Sequence, residues 1–421
     1  MSGVQWADTA IWWHVYPLGF VGADQRGNPS GEVAHELSRV AAWLDDLLDL
    51  GCNGLLLGPI FASGSHGYDT VDHLRLDPRL GDDADADALF AACRERGIRV
   101  LLDGVFNHVG RGHPWWQEAV AAGPGSAAAA RFATGPGSRS VDGLEVQVFE
   151  GHEGLVVLDH DHPEVAATVS DVMAHWLGRG VDGWRLDAAY AVPPAFWRTT
   201  VGPVRERFPE AWFVGEVIHG DYVRYVAESG LDSVTQYELW KAVRSSIEER
   251  NWFELAWALQ RHDEFAAAFL PLTFVGNHDV TRVASAIGDP RHVGHAAAVL
   301  CFVAGSPAVY AGDERGLTGA KEERAGGDDA VRPEFPRDPG DWPRNELFHR
   351  HQEAISFRRR HSWLAHARVA ASELSNESVL LTATGPGGER AELGLNLSDE
   401  GVVLGGRPVP AHGWVLSPQP G

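Results

Sequence analysis

The feature that most constrains the fold of this chain is an alternation of short apolar runs with longer windows of helical periodicity. Eight runs have the length and composition of buried strands. They cover residues 11–16, 53–57, 98–102, 181–186, 211–215, 231–235, 271–275 and 306–310. Eight β–α pairs over about 360 residues fit a closed (β/α)8 TIM barrel better than an open doubly wound sheet, which usually has fewer strands.

Two helical windows between these runs carry their own start and stop signals. The first ends at Gly51, where a glycine C-cap belongs, and its apolar face is Val33, Leu37, Val40, Ala41, Leu44, Leu47 and Leu48. The second follows Pro163, which suits a first helical position, and its stripe is Val165, Val169, Val172, Met173 and Trp176. Both patterns predict amphipathic helices.

Two stretches depart from the barrel pattern. Residues 109–162 are too long for a barrel loop and include a Gly/Ala/Ser-rich segment, which indicates an inserted lobe over the strand ends. From residue 364 the apolar residues alternate around Gly-Pro-Gly-Gly, as in antiparallel strands. The sequence therefore predicts a barrel of residues 1–108 and 163–363, a lobe of residues 109–162, and a C-terminal antiparallel β domain of residues 364–421.

The charge of the chain excludes two classes of partner. Asp and Glu outnumber Lys and Arg by 58 to 35, for a net charge of −23, which repels phosphate backbones and anionic lipid surfaces. No segment reaches the roughly 18 apolar residues of a membrane span, and the N-terminus lacks a secretory pattern. We therefore expect a cytoplasmic protein that binds neither nucleic acid nor membrane.

Four of the predicted strands end in the same way, with an apolar run followed by charged or imidazole side chains. The segments are VLLDGVFNH (100–108), VDGWRLDAA (181–189), WFVGEVIHG (212–220) and LTFVGNHDVTR (272–282). In a barrel the carboxyl ends of all the strands meet at one face, so these side chains converge. A single carboxylate after a strand is more often a helix N-cap, but four such endings together favour an active site.

Two of these carboxylates have different surroundings. Arg185 and Asp187 are two positions apart on an extended segment, so they share a face, and the guanidinium favours the ionised carboxylate that a nucleophile requires. Taken alone, this motif is as well explained by a structural ion pair. Glu216 follows the apolar run WFVG, where partial burial favours a protonated general acid. Such a pair is typical of glycoside cleavage.

The four segments resemble the four sequence regions of the α-amylase family, glycoside hydrolase family 13. They follow strands three, four, five and seven in the family's order, and the resemblance covers essentially the whole chain. The matching residues are Asp103, Asn107 and His108 of the first region, Gly183, Arg185 and Asp187 of the second, Glu216 of the third, and Asn277, His278 and Asp279 of the fourth.

The resemblance implies a catalytic role for three carboxylates. Asp187 is expected to form the covalent glycosyl-enzyme. Glu216 is expected to protonate the leaving oxygen and then to activate the acceptor. Asp279 is expected to hold sugar hydroxyls and to stabilise an oxocarbenium-like transition state.

The resemblance also implies contacts around them. His108 and His278 are expected to hydrogen-bond the sugar, Tyr68 to stack under it, and Arg185 to orient Asp187. Asp103 is expected to be a buried partner of Arg185. Asp328 and Arg332 resemble a D-x-x-x-R substrate-contact element of neopullulanase-like members, and a loop ion pair is the alternative.

The pattern for calcium is incomplete. Asn107 matches one ligand of the calcium-dependent members, but Ala191 stands where these members have a His. Separately, Asp159 replaces an Asn that is usual in the lobe, a difference that concerns the local substrate contacts. Residues 23–33 contain no D-x-D-x-D-G loop. We therefore expect that no metal or other cofactor is required, with a structural calcium ion as the alternative.

The leading hypothesis is a retaining α-glycosidase of maltooligosaccharides or other short α-glucans. A transglycosylase or isomerase would use the same residues. A catalytically inactive barrel that serves as a binding subunit is a third possibility, although such relatives lose the carboxylates that this chain keeps. The expected partner is a small oligosaccharide, and the oligomeric state is left open.

Overall fold

A computed structural model describes residues 4–27, 31–324 and 326–418. One sheet contains eight parallel strands, labelled here in chain order as β1 (Trp12–Val15), β2 (Gly54–Leu57), β3 (Arg99–Gly104), β4 (Gly183–Leu186), β5 (Trp212–Gly215), β6 (Ser233–Val234), β7 (Leu272–Phe274) and β8 (Ser306–Tyr310). Their spatial order is β6-β5-β4-β3-β2-β1-β8-β7, and a parallel bridge from Thr235 to Leu272 joins the two ends. The sheet is therefore a (β/α)8 barrel, and all eight predicted strands are confirmed.

Helices connect successive strands around the outside of the barrel. The α-helices are Pro17–Phe20, Ser38–Ala42, Leu44–Leu50, Asp83–Glu95, Pro114–Ala122, Pro163–Gly178, Pro194–Arg207, Tyr222–Ser229, Tyr237–Glu248, Phe253–Ala268, Val283–Ile287, Val293–Phe302 and Glu346–Arg360. The 3₁₀ turns are Gln5–Thr9, Ala129–Arg131, Phe149–Gly151, Ala189–Ala191, Asp313–Arg315, Asp329–Val331, Pro339–Asp341 and Ser362–His366. Within the described ranges, none of the helices combines the length and the apolar character that a membrane crossing needs.

The first predicted helix begins later than its apolar pattern indicated. Val33 is exposed and outside any helix, because the chain before Ser38 is held by backbone hydrogen bonds from Ala34 to Pro78 and from Leu37 to Leu80. The helix then breaks at Trp43 before its second part reaches Gly51. At that end the prediction is confirmed, since Gly51 adopts a left-handed φ of 102°.

The second predicted helix is confirmed. Pro163 occupies its first turn, where the missing N–H of proline has no intrahelical partner to lose. The five residues of the predicted stripe are all buried, namely Val165, Val169, Val172, Met173 and Trp176.

The amino-terminal end of the barrel is filled with large apolar side chains. Trp12 of β1 and Trp212 of β5 stack across the interior, with ring centroids 5.8 Å apart and ring planes 4° apart. Leu101, Leu272 and Phe274 belong to the same buried cluster. Because this packing forms a floor, it positions the polar strand ends at the opposite face, where barrel active sites are built.

The two predicted additions to the barrel are present. Between β3 and the helix Pro163–Gly178, strand His108–Gly110 pairs with Leu155–Val157, and Arg139–Val141 pairs with Leu144–Val146. The C-terminal antiparallel sheet contains Arg368–Ser372, Ser378–Thr384, Arg390–Asn396 and Trp414–Pro418, and Val402–Leu404 pairs with Arg407–Val409 beside it. After β2, Phe61–Ser63 pairs with Thr70–Leu76. The exact domain boundaries stay predictions.

Gly183 sets the spacing between β4 and β5. A Cβ atom at this position would lie 2.0 Å from the carbonyl oxygen of Trp212 and 2.9 Å from Leu101 Cδ2. A side chain would therefore push the strands apart just before Arg185 and Asp187.

We expect Gly183→Ala to lower the free energy of unfolding by about 3 kcal/mol, because overpacking against backbone cannot relax by a rotamer change. Gly178→Ala is the matched control, since its Cβ would meet nothing closer than Phe208 Cζ at 3.9 Å. The control should be neutral or gain up to about 1 kcal/mol from its helical position. Urea unfolding followed by circular dichroism measures the free energy of unfolding of both variants. Equal values for the two variants would contradict the inference that Gly183 sets the spacing between β4 and β5.

Candidate active site

Arg185 lies at the centre of a buried group of carboxylates. The strand register pairs Arg185 of β4 directly with Asp103 of β3. Its Nη1 donates to both oxygens of Asp103 at 2.8 Å and to Asp187 Oδ1 at 3.0 Å, and its Nη2 contacts Glu216 Oε1 at 2.6 Å. One guanidinium, only 4% exposed, therefore holds three carboxylates. The expected partnership of Asp103 with Arg185 is confirmed.

Asp187 carries a strong electrostatic penalty as an anion. Burial raises the pKa of Asp187 well above its ordinary value, and the nearby charges of Glu216, Asp103 and Asp279 act in the same direction. Arg185 opposes this rise but is shared with two other carboxylates. Arg185 favours ionised Asp187, the direction that the sequence analysis expected, but its effect does not outweigh burial.

Glu216 accepts hydrogen bonds at both oxygens. Oε2 accepts from the backbone N–H of Ala188 at 3.0 Å, and Oε1 accepts from the Tyr237 hydroxyl at 3.0 Å. Asn277 Nδ2 in turn donates to the Tyr237 oxygen at 3.0 Å, so the phenolic hydrogen points to Glu216. These contacts fix the carboxyl group in one orientation.

Two residues of this arrangement were missed by the sequence analysis. Tyr237 follows β6, the shortest strand, and no motif marks it; the available signal was a polar aromatic residue at a strand's carboxyl end. Ala188 is buried and adopts φ 47° and ψ 33°, a left-handed conformation that is unusual for a residue with a side chain. Such strain often accumulates at functional sites, and here it follows Asp187 directly.

Asp279 contacts an arginine and a histidine. Arg332 Nη2 donates to Asp279 Oδ1 at 2.8 Å, and His278 Nε2 lies 2.9 Å from Oδ2. Burial tends to raise the pKa of Asp279, but His278, Arg332 and Arg185 together hold it well below the ordinary value. Asp279 is therefore an anion. Arg332 also pairs with Asp328 at 3.3 Å, so the two residues of the D-x-x-x-R element do meet.

Aromatic rings surround His278. Tyr68 stacks on one side of its imidazole, with centroids 5.4 Å apart, and Tyr16 stacks at 5.7 Å. The Tyr68 hydroxyl hydrogen-bonds to His278 Nε2 and donates to Asp103 Oδ2 at 3.0 Å. Tyr68 thus links the Arg185 group with the Asp279 group. Its predicted stacking under a sugar ring stays a prediction.

The inserted lobe approaches the site through His108. This side chain is buried, its Nε2 hydrogen-bonds to the Tyr68 carbonyl at 3.0 Å, and its ring stacks on Phe149 of the lobe at 4.7 Å. Burial lowers the pKa of His108 to about 3, so the imidazole is neutral. Both ring nitrogens have protein partners, since Asn107 Nδ2 lies 3.1 Å from Nδ1. The predicted hydrogen bond from His108 to a sugar is therefore not tested by this geometry.

The residues suited to a metal ion lie elsewhere. Within the described ranges, a group of three potential metal ligands consists of His35, Asp82 and Asp85. Their ligand atoms all lie within 4.8 Å of one another. Asp82 and Asp85 form the capping box of the helix Asp83–Glu95, which explains their proximity. Asp159 of the lobe is in no such group among the described residues. A requirement for calcium is still not expected, and this stays a prediction.

Comparison with known proteins identifies the family. The profile described as "Alpha amylase, catalytic domain" matches residues 14–134 and 146–377. The chain belongs to the α-amylase family. This is glycoside hydrolase family 13, the family that the four sequence regions resemble.

Curated members of the α-amylase family show similar sequences. The cyclomaltodextrinase of Geobacillus thermopakistaniensis is 29% identical over 444 residues, which cover 98% of this chain and 73% of that protein. The cyclomaltodextrinase of a Bacillus species is 31% identical over 345 residues, covering 75% of this chain and 61% of that protein. This chain thus spans less than two thirds of the Bacillus relative.

A solved structure of the α-amylase family superposes over the whole chain. It is the cyclic α-maltosyl-(1→6)-maltose hydrolase from Arthrobacter globiformis in complex with cyclic α-maltosyl-(1→6)-maltose. The TM-score is 0.87, the sequence identity is 25%, and the match covers 100% of both chains.

The raised pKa of Asp187 predicts a stability gain when its charge is removed. A carboxyl group whose pKa is higher in the folded state loses folded stability as pH rises from its unfolded value through its folded value. We therefore expect Asp187→Asn to unfold about 2–4 °C above the wild type at pH 7.5. The gain should shrink at pH 4.5, where more of the wild-type Asp187 is protonated.

Scanning calorimetry at both pH values measures this difference. Asp171→Asn is the control, because Asp171 is exposed on the helix Pro163–Gly178. A wild type that equals or exceeds Asp187→Asn in stability at pH 7.5 would show that Arg185 compensates the buried charge fully.

The metal expectation is tested by chelation. Glycosidase activity should survive prolonged dialysis against EDTA, since no carboxylate cluster for calcium adjoins the site in the described ranges. The residual rate is compared before and after addition of calcium or magnesium. A loss of activity that calcium alone restores would contradict the expectation that the protein requires no metal.

Proposed function

We propose that the protein is a retaining α-glycosidase that cleaves α-glucosidic bonds of short or cyclic α-glucans by double displacement. The observation that carries this proposal is the contact of Asp187 and Glu216 with the same buried guanidinium. Retaining enzymes need their two carboxyl groups close together, whereas inverting enzymes leave room for a water molecule between them. A shared guanidinium supports the closer arrangement.

In the first step, Asp187 attacks the anomeric carbon and Glu216 transfers its proton to the glycosidic oxygen. The bond between the anomeric carbon and that oxygen breaks, and the leaving sugar departs as an alcohol. Glu216 and Asp187 contact the same guanidinium, and the negative charge of Glu216 disfavours ionised Asp187, so a proton on Glu216 would remove this repulsion. The protonated acid and the ionised nucleophile therefore stabilise each other.

In the second step, Glu216 accepts a proton from water, and the resulting nucleophile displaces Asp187 from the anomeric carbon. Both carboxyl groups return to their starting protonation states, and two inversions give net retention. Asp279 is held as an anion by Arg332 and His278. Its negative charge would stabilise the positive charge that develops on the sugar ring in both steps.

The substrate class is supported by the relatives. Two are named cyclomaltodextrinase, and the Arthrobacter globiformis hydrolase was solved with a cyclic maltosyl-maltose. The lobe residue Phe149 stacks on His108, and Glu150 accepts a hydrogen bond from Tyr190 at 2.6 Å. A lobe bound on two sides of the site favours a short or cyclic glucan over a long polymer.

Incubation with maltotriose, cyclodextrins, cyclic maltosyl-maltose, sucrose and trehalose, followed by product analysis, tests this substrate class. Release of maltose or glucose from the maltooligosaccharides or the cyclic glucans supports it. Longer or rearranged sugars as the main products would favour the transglycosylase or isomerase. The inactive-barrel alternative has no support, because the carboxylates of the family are all present.

The two carboxylate roles predict different defects in Asp187→Ala and Glu216→Ala. Without Asp187 no glycosyl-enzyme forms, so natural glucosides and α-glucosyl fluoride should both lose several orders of magnitude in rate. Without Glu216, the fluoride needs little protonation and its first step should be partly spared, whereas natural glucosides lose most of their rate.

Azide provides a second measurement for the same variants. It needs no general base, so it should accelerate turnover of the fluoride by Glu216→Ala and give a β-glucosyl azide, because it attacks opposite Asp187. Rescue of Asp187→Ala instead, with a product of the opposite configuration, would exchange the assigned roles. Wild-type activity in both variants would reject the site.

A further inference from the structure

His278 and Asp279 lie on an irregular segment, residues 276–282, that follows β7. These residues, all of them in the described ranges, form neither a helix nor a strand. At the end of the segment, the backbone N–H of Arg282 donates to the Gly319 carbonyl at 3.0 Å. Functional side chains on such a segment keep their position only when neighbouring elements hold it.

The end of the segment is attached to the end of β8 through the side chain of Arg282. This guanidinium belongs to a residue that is 1% exposed, and its Nη1 donates to Asp313 Oδ1 at 2.8 Å and to the Ala311 carbonyl at 2.9 Å. It also lies 4.2 Å from the ring centroid of Tyr310, the last residue of β8. A buried ion pair and a cation–π contact together fix the guanidinium in one place.

The start of the segment meets the other oxygen of the same carboxylate. A Cβ atom on Gly276 would lie 2.3 Å from Asp313 Oδ2 and 3.5 Å from Asp313 Cγ. Among the described residues beyond its chain neighbours, nothing else would lie within 4 Å. The φ of Gly276 is outside the left-handed region, so its backbone conformation does not require glycine. The approach of the Asp313 carboxylate does.

This position is electrostatically costly for Asp313. The residue is 1% exposed, and burial raises the pKa of Asp313 to about 7, although the charge of Arg282 acts in the opposite direction. Its Oδ2 is buried and has no hydrogen-bond partner among the described residues. Most buried polar atoms are paired, so a carboxyl group held in this way points to a requirement of the site.

We propose that Asp313 is a positioning residue for the candidate active site, because its carboxylate contacts both ends of the 276–282 segment and so holds His278 and Asp279 in place. It acts through these two contacts rather than by touching the substrate. The role rests on the proposed function, since it is the glycosidase reaction that requires Asp279 at a fixed position.

A displaced Asp279 would lose most in the transition state, where its charge stabilises positive charge that the bound substrate does not carry. We therefore expect Asp313→Ala to lower kcat at least tenfold and to change KM by less than about threefold. A pair that only stabilised the fold would lower the melting temperature and leave kcat unchanged. Asp232→Ala is the control for that case, because Asp232 pairs with Arg205 at 2.6 Å just before β6, at the amino-terminal end of the barrel.

The contact with Gly276 allows a double-mutant cycle. In the wild-type background, Gly276→Ala should displace the Asp313 carboxylate and lower both the melting temperature and, about tenfold, kcat. In the Asp313→Ala background the added methyl group enters the space that the carboxylate has left, so the same change should alter kcat by less than about twofold. Gly202→Ala is the matched control, since its Cβ would meet nothing within 4 Å, and it should have the same small effect in both backgrounds.

Kinetics with maltotriose and β-cyclodextrin, together with scanning calorimetry, measure the four proteins of the cycle. Asp313→Asn keeps the shape of the side chain and an acceptor for Arg282, so it should retain at least about a third of the wild-type kcat. Should Asp313→Ala fail to fold, Asp313→Ser replaces it in the cycle, because its shorter side chain also leaves the position of Oδ2.

Additive losses from Gly276→Ala and Asp313→Ala would overturn the proposal, and so would a wild-type kcat in Asp313→Ala. An Asp313→Asn variant as impaired as Asp313→Ala would show that the charge matters and not the two contacts, and would also overturn it. If the wild type cleaves no α-glucan, the proposed function fails, and the calorimetric cycle decides by itself whether Asp313 holds the segment.

Discussion

The arrangement of this site depends on one buried guanidinium, that of Arg185. Its contacts with Asp103, Asp187 and Glu216 connect the ends of β3, β4 and β5. Without it, three carboxylates would share a low-dielectric space with no direct cation, a situation that costs several kcal/mol for each unpaired charge. The barrel makes this pairing possible, because neighbouring parallel strands place Arg185 and Asp103 at the same level of the sheet.

The distribution of positive charge gives the carboxylates of the site two different electrostatic environments. Three of them contact Arg185, and the pKa of Asp187 is raised by burial and by the repulsion from the neighbouring carboxylates. Asp279 instead contacts Arg332 and His278, which together with Arg185 hold its pKa well below the ordinary value, so it is an anion. Active sites commonly contain buried ionisable groups whose pKa values are shifted in this way.

The surrounding structure supports this arrangement from two directions. Below the site, the stacked Trp12 and Trp212 fill the barrel and hold the strands at a fixed spacing. Above it, Phe149 and Glu150 of the lobe contact His108 and Tyr190, so the lobe is bound to the same strand ends that carry the chemistry. Packing on both sides places the site at the carboxyl ends of the strands.

By itself, the sequence determined the eight strands, the family and the residues that meet at the strand ends, because apolar periodicity and motif order are local properties. Tertiary structure alone decided three features. The first helix begins at Ser38 rather than Val33, because hydrogen bonds to the distant Pro78 and Leu80 hold the preceding chain. Tyr237 donates to Glu216 because β6 lies directly beside β5 in the sheet, which brings the two strand ends together. The pKa of Asp187 is raised by burial and by the charges of Glu216, Asp103 and Asp279. These groups come from different strands, so no single motif contains them.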